Sequence, residues 1–252
     1  MIYSSIFVII FLAGTAFEFL LNQVLEFIDY KNRKIHGKEI PEILSGVVKE
    51  EQLAKTCDYE DAQYRLWIPH NILSTALALF MLCSGFFVWI LNFINGRITQ
   101  NTFLTLLLFG IISGIPGKIL DLPFNLYGEF GIEKKFGFST MTIKTWILDG
   151  IKNFAVSIVL VAILLGAMSF IFSKFENTWW LFIGIIFIGF SLLISIVYPL
   201  FIAPLFNKFS PLPGGELKTR LEQLLKKCGF KSSGLYVMDA SKRSKHSNAY
   251  FT

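Results

Sequence analysis

The sequence predicts an all-α, multi-spanning membrane protein of about five transmembrane helices, followed by the start of an α+β domain. Three observations predict it. Hydrophobic residues make up 54% of the 252-residue chain and charged residues only 16%, with 27 phenylalanines, far from the balance of a water-soluble domain. The charges are clustered, which leaves long uncharged windows, each near the roughly 20 apolar residues that cross a bilayer. From about residue 210 the pattern becomes polar and amphipathic, so the transmembrane region is expected over 1–209 and a separate domain from 210–252.

The expected spans are 3–25, 66–94, 98–117, 154–172 and 178–201. The first has no basic stretch before it and no small-residue cleavage site after it, so it reads as a retained anchor rather than a signal peptide. Lys and Arg then set the orientation, because cytoplasmic loops retain them. Seven fall in the first connection: Lys31, Arg33, Lys34, Lys38, Lys49, Lys55 and Arg65. The second connection carries only Arg97, the third carries Lys134, Lys135, Lys144 and Lys152, and the fourth only Lys174. Nine follow Phe201. Rich and poor loops alternate in step with five crossings, which places the N-terminus outside or lumenal and the tail in the cytoplasm. The net charge of +5 is then accounted for by loops facing anionic lipid, and no nucleic-acid partner is called for.

In the tail, Ser210, Pro211, Pro213, Gly214 and Gly215 punctuate the exit of the last span. Leu217, Leu221, Leu224 and Leu225 recur at helical spacing, with Glu216 near the start, Lys226 and Lys227 in the last turn and Gly229 as the stop. Residues 235–238 read as a short strand, 239–246 as a polar turn and 247–252, SNAYFT, as a second strand. One helix and two strands cannot bury a core of their own. The chain therefore reads as the N-terminal part of something longer.

Several stretches, in order, carry a resemblance. The closing MDASKRSKHSNAYFT, the connection LPFNLYGEFGIEKKFGFSTMTIKTWILDGIK with its Ile-Glu, Phe-Gly-Phe-Ser and later Asp, and the exit YPLFIAPLFNKFSPLPGGELKTRLEQLLKKCGF resemble segments of the type I CAAX prenyl proteases. FEFLLNQVLEFIDYKNRK and Ile40-Pro41-Glu42 look like that family's N-terminal anchor and first cytoplasmic loop. The resemblance implies a membrane zinc metalloendopeptidase that cleaves near the C-terminus of prenylated or other membrane-associated proteins. It makes 210–252 the start of an α+β zinc-metalloprotease domain. The implied partners are a peptide or protein substrate, possibly prenylated, and the lipid bilayer. The implied membrane is the bacterial inner membrane or the endoplasmic reticulum.

The family's chemistry needs two His one helical turn apart, in His-Glu-x-x-His, with a more distal Glu as third zinc ligand. This sequence has three histidines, His36, His70 and His246, none four residues from another. The expectation is that zinc belongs to the full-length protein, its ligands lie outside these residues, and this chain alone has no catalytic residue and cleaves nothing. His36 reads as a solvated loop residue, and His246 as shaping the polar turn. His70 stands either at the interface or on a polar cavity. Glu50, Glu51 and Lys55 read as a solvated helix face. Cys57, Cys83 and Cys228, widely spaced and odd in number, read as reduced thiols.

Substrate binding is the remaining role. A peptide held extended against a sheet edge gains backbone hydrogen bonds that do not depend on its sequence. By resemblance, Asn248, Ala249 and Tyr250 form that edge, with alternation setting Asn248 and Tyr250 on one face and the small Ala249 on the other. An interior strand fixed by packing is the competing account of the same residues. Glu18, inside the first span, and Lys118 and Asp121, at the end of the third, are ionisable groups of the kind that line water-filled space, and the resemblance implies a hydrated chamber that Glu18 and His70 would face; the competing account has Glu18 hydrogen-bonding to a neighbouring helix while Lys118 and Asp121 snorkel to the interface. The alternative from another class is a non-enzymatic transporter or scaffold. Five unequal spans show no clear internal repeat of the kind transporters carry.

Overall fold

The computed structural model describes residues 6–40, 46, 48–175, 177–232, 234–246 and 249. Helices dominate. We label them α1 (Ile6–His36), α2 (Glu50–Cys83), α3 (Phe86–Arg97), α4 (Thr102–Phe136), α5 (Ile143–Lys174), α6 (Trp179–Phe206) and α7 (Glu216–Lys227). Two short strands, β1 (Phe209–Pro211) and β2 (Tyr236–Met238), flank α7. Five of the helices, α1, α2, α4, α5 and α6, are long and apolar enough to cross a membrane. Few large apolar side chains are buried, the described ones being Met81, Ile90, Ile94, Ile132, Ile171 and Ile202. That is the expected outcome for helices whose apolar surface faces lipid rather than a protein core.

The long helices overshoot the bilayer. At 1.5 Å per residue, the 34 residues of α2 and the 32 of α5 run to about 50 Å, against a hydrocarbon core of about 30 Å. The excess turns are the charged ones: Asp29 to Lys34 at the end of α1, Glu50 to Arg65 at the start of α2, and Lys144 to Lys152 at the start of α5. The expected window 66–94 crosses a break. Gly85 adopts φ +76°, a conformation that favours glycine, so the chain leaves α2 and restarts as α3. Pro69 and Pro116 sit inside α2 and α4 without ending them, as membrane helices tolerate. In α4 the ladder widens to a π-helix over Tyr127–Glu133.

The described residues form two compact units, one from 1–99 and 108–137, the other from 100–107 and 138–252. In the first, α1 and α2 are joined by polar contacts as well as packing. Asp61, 5% exposed, accepts from Arg33 Nε at 3.1 Å and also from Lys34 Nζ, and Arg33 pairs with Asp29 one turn back. The Tyr30 and Tyr64 rings stack at 4.7 Å. Further along, Gln23 Nε2 donates to Asn71 Oδ1 at 2.9 Å. At Gly37 a side chain would collide with the Arg33 carbonyl at 2.2 Å and with Cys57 Sγ at 2.7 Å, so glycine is what lets the chain pass.

In the second unit β1 pairs antiparallel with β2, setting Phe209 opposite Met238 and Pro211 opposite Tyr236. The ladder is extended by Leu212 N donating to Leu235 O and Asp239 N to Lys208 O. The leucine spacing forms α7 as expected, and Gly229 at φ +74° ends it. Phe230 N donates to Leu225 O and Gly229 N to Lys226 O, which satisfies two terminal carbonyls. Cys57, Cys83 and Cys228 are free thiols.

Removing the Asp61 carboxylate leaves the half-buried Arg33 with Asp29 alone. Asp61→Ala should therefore lower stability by about 1–3 kcal/mol, read as a lower thermal midpoint in detergent, and Lys34→Ala should cost less because Lys34 is half exposed. Equal midpoints for Asp61→Ala and the wild type would remove Asp61 as the α1–α2 tie.

Candidate functional site

In the second unit the polar turn after β2 is fixed to the membrane helices. Arg243 is the tie point. Its Nε and Nη2 donate to Asp149 Oδ2 and Oδ1 on α5 at 2.6 and 3.0 Å, and Nη1 donates to Asn207 Oδ1 at 3.1 Å, just past the end of α6. The fork geometry matches a carboxylate's two oxygens, a charge-assisted pairing stronger than hydrogen bonds between neutral groups. Both partners are mostly buried, at 21% and 13% side-chain exposure, so solvent screening is reduced. The hydrogen bond to Asp149 holds the guanidinium above even its ordinary high pKa.

The backbone of the turn is fixed as well. Thr140 N donates to Arg243 O, Lys245 N donates to Phe138 O, and Thr140 Oγ1 donates to Ser241 O at 2.6 Å. Ser139 and Ser244 thus stand opposite each other in an antiparallel bridge. The His246 ring stacks on Phe138 at 4.4 Å. At the head of the turn, Ser241 Oγ donates to Asp239 Oδ1 at 2.6 Å and holds that carboxyl below the usual aspartate range. Lys152, one turn beyond Asp149, donates to the Leu205 carbonyl at 3.0 Å and lies over the Phe206 ring. The loop 138–142, the start of α5, the exit of α6 and the turn 239–246 therefore meet at one node.

The first unit holds the intramembrane polar groups. His70 Nε2 lies 2.8 Å from Asp121 Oδ1, and Phe124 packs against the imidazole at 4.8 Å. A carboxylate only accepts, so His70 uses Nε2–H here. Asp121 is partly buried and paired with His70 across helices α2 and α4. Lys118 is exposed. A second network joins Tyr59 on α2 to Glu133 in the π-helix, with Gln63 Nε2 donating to Glu133 at 2.9 Å and to Tyr59 Oη at 3.1 Å.

Of the residues singled out from sequence, Ala249 is described and exposed, and Asn248 and Tyr250 lie outside the described residues. Glu18 is exposed on α1, and among the described residues His70 pairs with Asp121. His36 pairs with Glu39 at 3.0 Å. Asp149, Arg243 and Asn207 carry the node without having been singled out individually. The signal available was the isolated Asp at the edge of the fourth apolar window and the basic run at the end of the chain.

A catalytic zinc needs at least three converging ligands. Among the described residues no group of three His, Cys, Asp or Glu side chains stands together in that way. His70 with Asp121 supplies two, and His246 is stacked on an aromatic ring. These residues do not fit a catalytic metal, and no step through one is assigned to them.

A family model described as the CAAX prenyl protease N-terminal region, with five membrane helices, matches residues 29–208. The CAAX prenyl protease 1 of Saccharomyces cerevisiae (strain ATCC 204508 / S288c) is 30% identical over 245 residues, covering 93% of this chain and 53% of its own length. The Caenorhabditis elegans CAAX prenyl protease 1 homolog is 34% identical over 238 residues, covering 92% and 51%. A crystal structure of S. mikatae Ste24p superposes with a TM-score of 0.83 at 32% identity, over 95% of this chain and 57% of that one. The chain spans about half the length of the curated relatives it matches.

The His70–Asp121 pair gives a direct test of the intramembrane geometry. Asp121→Asn keeps an acceptor for His70 Nε2 and should leave the thermal midpoint near the wild type, whereas Asp121→Leu orphans the imidazole and should cost about 1 kcal/mol. Indistinguishable midpoints for the two variants would mean the pair holds nothing.

Proposed function

The chain belongs to the CAAX prenyl protease N-terminal family and is an integral, multi-pass membrane protein, and from that premise we propose that it serves a membrane-embedded zinc metalloendopeptidase. The substrates in this reading are peptides near the C-terminus of prenylated or otherwise membrane-associated proteins. The chain contributes the membrane helices and one substrate-aligning segment. The zinc ligands come from outside the 252 residues, since the sequence contains no His-x-x-x-His pair.

The observation that carries the reading is the anchoring of the turn 239–246 to α5 through Arg243 and Asp149. That turn leads directly into Asn248, Ala249 and Tyr250. A protease that accepts different peptides gains from contacts to the peptide backbone, because these do not depend on side-chain identity. Alignment of the peptide is the role of these three residues, and bond cleavage belongs to groups elsewhere. His70 and Glu18 line the space through which the peptide approaches. Charged and polar groups kept within apolar helices are costly, and that cost is the reason to give them a task.

Charge alternation supports an orientation with the N-terminus outside or lumenal and the tail in the cytoplasm. The node at Arg243 then lies on the cytoplasmic side, where a prenylated C-terminus is presented.

Protein expressed from the full gene and purified in detergent should carry about one zinc and cleave a prenylated C-terminal peptide in a chelator-sensitive way. Residues 1–252 expressed alone should do neither. A full-length preparation that is free of zinc and cleaves neither the prenylated peptide nor its unprenylated counterpart overturns the reading.

A further inference from the structure

Helix α3 begins where α2 has used up the thickness of a bilayer. Between Arg65 and Arg97 the chain carries no Asp, Glu, Lys or Arg. The 20 residues from Leu66 to Gly85 advance about 30 Å at helical rise, which is one hydrocarbon core. Continued straight, α2 would carry the eight large apolar residues of FFVWILNFINGR out into water. The positive-φ Gly85 ends that course, and α4 opens at Thr102, soon after α3 ends at Arg97.

The sides of α3 differ. Ile90 and Ile94 are fully buried, and Phe87 packs against Phe109 of α4 with ring centroids 6.0 Å apart. On the neighbouring stripe Phe86 stacks on Trp89 at 6.2 Å and Trp89 on Phe93 at 5.7 Å. This aromatic stripe points outward, with Trp89 60% and Phe93 45% exposed. Asn92 and Asn95, also exposed, fall on the side away from Ile90 at about 3.6 residues per turn. The helix thus has an apolar face against protein, an aromatic flank without protein over it and a polar side.

We propose that α3 is an interfacial helix and that lipid covers its Phe86–Trp89–Phe93 stripe, at the boundary between headgroups and acyl chains. With α2 and α4 as crossings, a helix of 12 residues between them stays at the membrane face where α2 leaves and α4 enters. That is the depth at which tryptophan is favoured, its apolar ring meeting acyl chains while the indole N–H stays among polar headgroups. Helices that lie in this plane bury one apolar flank and turn a polar side to water, the role left to Asn92 and Asn95. Arg97, exposed in the last turn, reaches headgroup phosphate by extending its stem along the apolar surface. Arg65 marks the opposite boundary, so the α2 crossing has an anchor at each end. The inference goes beyond the proteolytic reading and does not depend on it.

The test uses protein expressed from the full gene, with native cysteines replaced by serine, in phosphatidylcholine vesicles. Spin labels are placed at Trp89→Cys, Phe93→Cys, Asn92→Cys and Asn95→Cys, and at Phe80→Cys on the exposed side of α2. Relative to a water-soluble nickel chelate, oxygen should reach the labels at 89 and 93 several-fold better than those at 92 and 95, and the label at 80 better still. Labels at 89 and 93 as open to nickel as those at 92 and 95 put the stripe in water. Shielding from both reagents puts it under protein, whether another segment of the full-length chain or a second copy. An oxygen preference equal to that at 80 means full insertion. Each of these three outcomes overturns the proposal. A readout on the unaltered protein guards against misfolded variants: phosphatidylcholine with a diazirine near the glycerol should label residues 86–97, whereas a diazirine at the acyl terminus should label the middle of α2 instead. Absence of glycerol-level labelling on α3 overturns the proposal whatever the variants do.

Discussion

The rest of the structure depends on a mismatch between helix length and bilayer thickness. A bilayer core accepts about 20 residues of helix, whereas α1, α2, α4 and α5 have 31, 34, 35 and 32. Within the core there is no water, so backbone groups are satisfied inside each helix and adjacent helices have little hydrophobic reason to associate. Outside it, the surplus turns can carry charge. Asp61 with Arg33 and Lys34, and Tyr59 with Glu133, lie on such surplus turns, as does Asp149, which takes its partner Arg243 from the turn after β2. Polar contacts do the joining that apolar burial does in a soluble protein.

The few polar pairs that fall within the apolar windows are built differently. Gln23 with Asn71, inside the windows, is neutral, and His70 meets Asp121, just past the third window, through a single hydrogen bond. Both cross between helices. Their cost is tolerable because each group meets a partner, and each fixes one helix's rotation against another in a region where leucine and phenylalanine specify little. At the other end of the scale, the Arg243 fork is fully ionic and sits at the start of α5, before its long apolar run.

The fold class was legible because hydropathy and charge report on lipid directly, and five helices of sufficient length stand where uncharged windows were found. α7 was equally legible, since leucine spacing, Lys226, Lys227 and Gly229 each act locally. Helix ends were not. A charged turn such as Lys144 to Lys152 ends an apolar window without ending a helix, because backbone hydrogen bonding continues wherever the residues tolerate it. Nor was the node legible. Nothing near Asp149 in sequence names Arg243, 94 residues away, and pairing at that separation is decided by packing. Asp121 shows the same limit: at a window's edge, snorkelling and partnering look alike until the neighbouring helix is known.

The break at Gly85 has a consequence for topology. Residues 66–94 are apolar enough to suggest a long crossing or two short ones, and which holds decides on which face the chain emerges. α3 has 12 residues, about 18 Å of helix, too short for a 30 Å core. Its Ile90 and Ile94 are the two large side chains among those described that are fully buried against protein. A helix packed this way adds hydrophobic mass without adding a crossing. The five long helices remain the candidate crossings, and a single positive-φ glycine is what separates the second of them from α3.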